Sequence, residues 1–269
     1  MVVVMVTKIS WRHVLPAVLA FSLLMAPRAA AQSESESEPP ASAKAPKAPA
    51  SHSVAGTWAL NAPRGAGFGW YNYALIPDEP PMTTWAQEKF KESKPSFGPH
   101  PVEESNDPAY SCFPNSVPRA YAGVQTAMQI IELPGRTLML FGRNIRQIYT
   151  DGRPHPAEHH LQWMGHSIGK WDGDTFVVDT VDISDVDWLD RMGHPHSDKL
   201  HLIERFKRVD DRTLTMNLTI DDPIAYTRTW DATPRNFRLR ANDRAGEAVC
   251  EDMFLNDAFG LHPHLPARD

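Results

Sequence analysis

Imidazoles dominate the middle of this chain. Seven of its twelve histidines fall between positions 155 and 201, namely His155, His159, His160, His166, His194, His196 and His201. Several sit in short polar motifs: Tyr149-Thr150-Asp151-Gly152-Arg153-Pro154-His155-Pro156, Trp163-Met164-Gly165-His166-Ser167 and Gly193-His194-Pro195-His196-Ser197. Histidine titrates near neutrality, which suits proton transfer and metal ligation. None of the zinc spacings with a known mechanism occurs: there is no H-E-x-x-H and no paired C-x-x-C. A divalent metal held by dispersed His and Asp stays open, so the expected cofactor is either none or such a metal. Single histidines in Gly/Pro/Asp loops often only satisfy backbone groups, but a purely structural role does not need so many titratable rings. Trp163, Trp171, Trp188 and Trp230 are interspersed with them, and aromatic faces beside polar tips suit sugar or aromatic ligands, although such rings more often form core.

Two hairpins must position these groups. His166 to Trp171 and Asp174 to Ile183 flank Asp172-Gly173, a pair that favours a type I′ turn. That turn sets Trp171 against Asp174, Ile168 against Val177 and His166 against Asp179. Directly opposed Cβ atoms lie about 4.5–5.5 Å apart, so Asp179 would orient His166 as a general base. In the second hairpin, Leu200–Val209 and Thr213–Asp222, the return strand alternates Leu214, Met216, Leu218 and Ile220 with Thr213, Thr215, Asn217 and Thr219. Period-two alternation marks a half-buried antiparallel strand, and matching faces place Leu202 by Ile220 and Phe206 by Met216. Glu204 shares the apolar side, as a general acid or as a salt bridge to Arg146 or Arg208. His201 has the opposite parity and so points away from Glu204. Asp221-Asp222-Pro223 reads as a strand-ending turn.

The other elements follow from local signals. Strands are expected at Val54–Leu60, Met128–Leu133 before the Pro134-Gly135 turn, and Thr137–Thr150 as one long strand bulged at Gly142. Further strands are expected at Tyr226–Asp231, Asn236–Leu239 and Ala248–Met253. A short helix over Thr84–Ser93 would be capped by Thr83 or Thr84, with Trp85 and Phe90 on its apolar side. Residues 61–118 read as long wrapping loops rich in Pro and Gly. The sum is a mainly β fold, an antiparallel up-and-down barrel or strongly bent sheet of lipocalin-like type, with a sandwich as the alternative.

The ends carry different information. Lys8, Arg12 and His13, an apolar run from Val14 to Ala26, and Ala29-Ala30-Ala31 form a secretory signal over 1–31. Residues 32–53 are mostly Ser, Glu, Pro, Ala and Lys and read as a disordered tether. Residues 54–269 then make a single β-rich domain, periplasmic or secreted, with no stable membrane span after cleavage. Cys112 and Cys250 are the two cysteines, and in an oxidising compartment they most simply form one disulfide. The net charge of −6, without a basic patch interleaved with aromatics, makes nucleic acid a poor partner.

The three histidine motifs, the run Ile168-Gly169-Lys170-Trp171-Asp172-Gly173-Asp174-Thr175, Glu204-Arg205-Phe206 and Thr219-Ile220-Asp221-Asp222-Pro223 together resemble a group of exported proteins of environmental bacteria. That resemblance implies export and brings no catalytic residue with it. Gly56-Thr57-Trp58 and the strand meander resemble lipocalin-type barrels, which implies a ligand cavity. From the residues themselves, the expected function is a hydrolase or lyase acting on a small or carbohydrate-like substrate in a barrel mouth. Its base would be His166, oriented by Asp179, with Glu204 as acid. Tyr149, Arg146, His155, Trp163, His194, His196 and His201 would contact substrate, Arg146 or His201 holding an anionic or hydroxylated group. The alternative is a non-catalytic small-ligand carrier using the same cavity.

Overall fold

The computed structural model describes residues 52–61, 70–96, 102, 104–122, 127–142 and 144–241. The chain divides into two units, Met1–Lys47 and Ala48–Asp269, and all described residues belong to the second. The expected signal, the tether up to Ser51, the Ala248–Met253 strand and Cys250 lie outside the described residues. Among the described residues no helix is long and apolar enough to cross a membrane.

Among the described residues ten strands are present: β1 (Gly56–Leu60), β2 (Met128–Leu133), β3 (Arg136–Phe141), β4 (Asn144–Tyr149), β5 (His166–Asp172), β6 (Thr175–Val181), β7 (His201–Asp210), β8 (Thr213–Asp221), β9 (Trp230–Asp231) and β10 (Arg235–Leu239). They pair in chain order, and β10 closes the ring by pairing with both β1 and β8. Nine strands thus form a closed barrel, with β9 added alongside β8. Closure removes the exposed sheet edges that an open sheet would leave unpaired. The sandwich alternative is excluded, and the barrel is of the lipocalin-like kind.

One pairing departs from the antiparallel expectation: β4 and β5 run parallel, Ile148 beside Ser167 and Tyr149 beside Ile168. Parallel neighbours need a crossover of a dozen or more residues, and the connection over 150–165 supplies it. The expected long strand over 137–150 is two strands. The chain reverses at Gly142 (φ 58), so that Phe141 faces Asn144. The glycine there serves a turn rather than a bulge.

The β7–β8 hairpin has the expected register, Leu202 facing Ile220 and Phe206 facing Met216. The β5–β6 hairpin does not. Its two-residue loop is Gly173-Asp174, closed by Asp172 facing Thr175. Of the two loop residues only Gly173 has positive φ (57), which is the signature of a type II′ turn with glycine first. The pairing therefore shifts by two residues. His166 faces Val181, Trp171 faces Phe176, and Asp179 faces Ile168. A shift of two preserves every side chain's face, whereas a shift of one would have reversed them all.

Helix α1 (Thr84–Glu92) is capped by Thr83, whose Oγ1 accepts from the Ala86 amide at 3.3 Å. Ala86 is buried and Phe90 packs on the core, but Trp85 is more than a third exposed. The inward side is therefore the Ala86–Phe90 side, one turn apart, and not Trp85.

The barrel interior is filled. Trp58, Met128, Phe141, Phe176, Phe206 and Met216 are buried in it, and Trp58 Nε1 donates to the Val54 carbonyl at 2.9 Å. A 3-10 turn, Arg119–Tyr121, inserts the Tyr121 ring edge-on against Phe141, Phe206 and Phe237. At its centre lies a polar knot. Arg146 from β4 and Glu204 from β7 form a fully buried bidentate pair, with Nη1 donating to Oε1 at 2.8 Å and Nη2 to Oε2. Arg146 also donates to Ser167 Oγ at 3.1 Å, to Thr180 Oγ1 at 2.6 Å and to the Tyr121 hydroxyl at 2.5 Å. Tyr121 in turn donates to Glu204 Oε1 at 2.5 Å. Burial alone would depress the Arg146 pKa, but the charge of Glu204, the Tyr121 oxygen and the hydrogen bonds to both together raise it. Burial pushes the Tyr121 hydroxyl well above its usual value.

Removing one partner of such a pair leaves an uncompensated buried charge, typically a loss of about 3–5 kcal/mol. Glu204→Gln should lower the unfolding free energy measured in urea by that order, and the midpoint with it. Arg146→Met combined with Glu204→Leu should recover much of it; an unchanged midpoint in the single variant would show the knot to be energetically idle.

Candidate functional site

The alternation that points Ser167, Thr180 and Glu204 inward points His166, Asp179 and His201 outward. His155 reaches the same outer face from the 150–165 connection. Its Nδ1 lies 2.7 Å from His166 Nδ1, and its Nε2 lies 3.1 Å from Asp179 Oδ1. The same carboxylate oxygen meets His201 Nε2 at 2.8 Å. Tyr149 stacks on His166 with ring centroids 5.2 Å apart, and Arg153 lies 4.0 Å over the Tyr149 ring while paired with Asp151.

The hydrogen-bond directions follow from the acceptor. An ionised carboxylate can only accept, so the Nε2 atoms of His155 and His201 both carry hydrogen. In a neutral His155 the Nδ1 is then a lone pair, and it takes the Nδ1 proton of His166. This leaves His166 Nε2 as a bare lone pair with no hydrogen-bond partner among the described residues. The order Asp179–His155–His166 is an orienting relay of the kind that fixes catalytic bases.

The imidazoles differ in electrostatics. Burial and the neighbouring His155 hold His166 below the ordinary imidazole value of 6.5. The hydrogen bond to Asp179 holds His201 above it, against a smaller opposing effect of burial. Asp179 itself is lowered: burial would raise it, but its bonds to His201 and His155 prevail.

The backbone around the cluster is tightly constrained. Gly165 (φ 63) precedes His166, and a Cβ there would stand 2.6 Å from the Val181 carbonyl oxygen. Only glycine lets the chain enter β5 so close to β6. Asp182, just past β6, is left-handed (φ 60). Its carbonyl accepts from the Gln162 amide at 2.8 Å, and its carboxylate holds His159 Nδ1 at 2.6 Å. Non-glycine residues in this region cost energy and cluster at functional sites.

Several expected site residues lie elsewhere. Glu204 and Arg146 are locked in the interior knot, on the opposite side of the β-sheet from His166. Glu204 therefore cannot serve as acid to that base, and Arg146 cannot meet a ligand at the outer face. His194 and His196 are also buried. His194 Nδ1 meets Asp190 at 2.7 Å and its ring stacks on Phe90 at 4.7 Å. His196 Nδ1 donates to the Ser197 carbonyl at 3.1 Å, and Tyr226 donates to the Pro195 carbonyl at 2.8 Å. The Gly193–Ser197 motif is thus a clasp that ties α1 and the turn after β8 to the barrel. Asp222 makes that turn, accepting from Ser197, Ile224 and Ala225. Trp163 is half-buried and stacks on Phe113 at 5.4 Å.

The direct opposition of His166 and Asp179 is replaced by a diagonal, which His155 spans. His201, expected on the far side from Glu204, does lie there, and that is the side holding the cluster. Because His155 turns one nitrogen to His166 and the other to Asp179, those three cannot converge on one cation. Among the described residues no group of three or more His, Cys, Asp and Glu is placed to hold a metal. A cavity of about 430 Å³ lies by the β7–β8 turn, lined by residues such as Asp210 and Arg238. That is the opposite end of β7 from His201, and none of the clustered imidazoles lines it.

Comparison with protein families, with curated proteins and with solved structures finds no match to this chain.

The His166 shift has a sign that can be checked. A group with a depressed folded-state pKa contributes stability present above the unfolded value and lost as pH falls through the folded one. Wild-type stability should therefore decline more steeply than that of His166→Gln as pH drops below 6.5. Urea unfolding across that window measures both slopes, and parallel curves would contradict the assignment.

Proposed function

We propose that this protein is an exported acid–base enzyme, of hydrolase or lyase type, acting on a small or carbohydrate-like substrate at the outer face of its barrel. His166 is the base, and His155 and Asp179 are its positioning residues. The observation that carries this reading is the relay itself. It runs from a carboxylate through two imidazoles and ends on an uncommitted nitrogen, His166 Nε2. Tyr149 stacks on the His166 ring and sets an aromatic side chain beside it.

A carrier of the lipocalin type needs an empty interior, and here Tyr121, Trp58 and the Arg146–Glu204 knot fill that space. The carrier reading therefore has less support than the enzyme reading. Export follows from the sequence of the first 31 residues, and a Cys112–Cys250 disulfide belongs with it. Peptide mapping without reductant should find those two segments joined.

General acid–base groups contribute typically 10²–10⁴-fold. In a broad screen of esters, glycosides and lactones, His166→Ala should lose activity by about that factor relative to wild type. Asp179→Asn should lower kcat and shift the acid limb of the pH profile while leaving KM nearly unchanged. A substrate turned over equally by wild type and His166→Ala would end this proposal.

A further inference from the structure

His201 stands in the same cross-strand row as His166. His166 faces Val181 across β5 and β6, and Thr180 faces Leu202 across β6 and β7. One step on, Val181 lies beside His201, which in turn faces Asp221. Strands are spaced about 4.8 Å apart, so the two imidazoles spring from backbone about 10 Å apart, with half-buried Val181 between them. Both rings are anchored to Asp179, His201 directly and His166 through His155. His201 Nε2–H is given to the carboxylate, so its Nδ1 is the remaining ring nitrogen, and it has no hydrogen-bond partner among the described residues. The outer face therefore presents two uncommitted imidazole nitrogens, His166 Nε2 and His201 Nδ1, on either side of a small apolar floor.

We propose that His201 is a second catalytic residue, the general acid to the base His166, and that the substrate is an uncharged molecule with a carbon–oxygen bond to be hydrolysed. This rests on the reading of His166 as base. In the step, His166 Nε2 takes a proton from water as the water oxygen bonds to the electrophilic carbon. The bond from that carbon to the leaving oxygen breaks, its electron pair stays on the oxygen, and the Nδ1 proton of the His201 imidazolium passes to it. His166 ends protonated and His201 neutral, and exchange with solvent restores both.

The charges around the pair set the substrate class. Asp179 and Asp221 face His201, and Asp179, through His155, and Asp182 face His166. Arg153 also acts on His166, but its guanidinium is engaged by Asp151. Arg205, further along β7, is held by Thr219. Even with the His201 imidazolium and Arg205 counted, the carboxylates Asp179, Asp182 and Asp221 outnumber the cations not already paired, which favours an uncharged substrate over a phosphate or carboxylate. The hydrogen bond to Asp179 and the charges of Asp179 and Asp221 raise the His201 pKa, while burial and His155 lower that of His166. Environments that push two pKa values apart in this order suit the acid and base roles respectively.

The test uses the mature protein with para-nitrophenyl acetate and neutral para-nitrophenyl glycosides, against para-nitrophenyl phosphate, over a range of pH. A bell-shaped kcat/KM is expected with a neutral probe. His201→Gln should lose the alkaline limb and about 10²-fold in rate, and His166→Gln the acid limb. If His166→Gln is inactive while His201→Gln keeps the full profile, His201 is no acid and the base assignment survives. If His166→Gln keeps wild-type activity together with its acid limb, the base assignment itself falls. Preference for the phosphate probe, or no turnover of any neutral probe, overturns the substrate class. Histidine NMR titration of the wild type adds a measurement independent of turnover: a His201 that titrates below His166 overturns the acid role.

Discussion

The bidentate contact between Arg146 and Glu204 is the constraint on which the rest of the structure turns. It joins β4 to β7 through the barrel interior, and Ser167 on β5 and Thr180 on β6 complete it. A charged pair with no exposure has one geometry that satisfies it, because every unsatisfied donor in a dry interior costs free energy. All four strands are therefore held in one register about the knot. A slip of one residue on β5, β6 or β7 would bury His166, Asp179 or His201, and a slip on β4 would expose Arg146.

That constraint also builds the outer face. Side chains alternate along a strand, so fixing Ser167, Thr180 and Glu204 inward fixes His166, Asp179 and His201 outward. The polar residues of the chain are thereby sorted into two populations with different chemistry. Inside, charges are paired and desolvated, and they serve the fold. Outside, imidazoles stay close enough to water to titrate, and a single Asp179 oxygen organises two of them. The parallel pairing of β4 with β5 matters here as well. A tight turn after β4 would leave no chain to carry His155 back over β5 and β6.

Much of this was legible in the residues. The clean alternation of Thr213–Ile220 gave the β7–β8 register and the opposed faces of Glu204 and His201. Arg146 was already a candidate ionic partner for Glu204. The concentration of histidines marked the stretch in which His155, His166 and His201 come together, and the hairpin reading put His166 and Asp179 on one face. The β5–β6 register was not legible, because Asp172-Gly173-Asp174 accommodates two turn types that differ only in which residue takes positive φ. Nor was the burial of His194 and His196, since Gly-His-Pro-His looks alike whether it borders a cleft or clasps a helix. The linking role of His155 carried no signal, as it lies on a long connection whose path is set by tertiary contacts.

The sequence by itself determined local periodicity: which segments are strands, which of their faces are apolar, and where the titratable residues are concentrated. Those properties depend on neighbours within a few positions and survive any choice of topology. Only the tertiary structure decided that Asp179 would be shared by His155 and His201, and that Glu204 would spend its charge on Arg146. Each of those outcomes joins residues more than twenty positions apart, and such pairings depend on how the barrel closes, which no local pattern encodes.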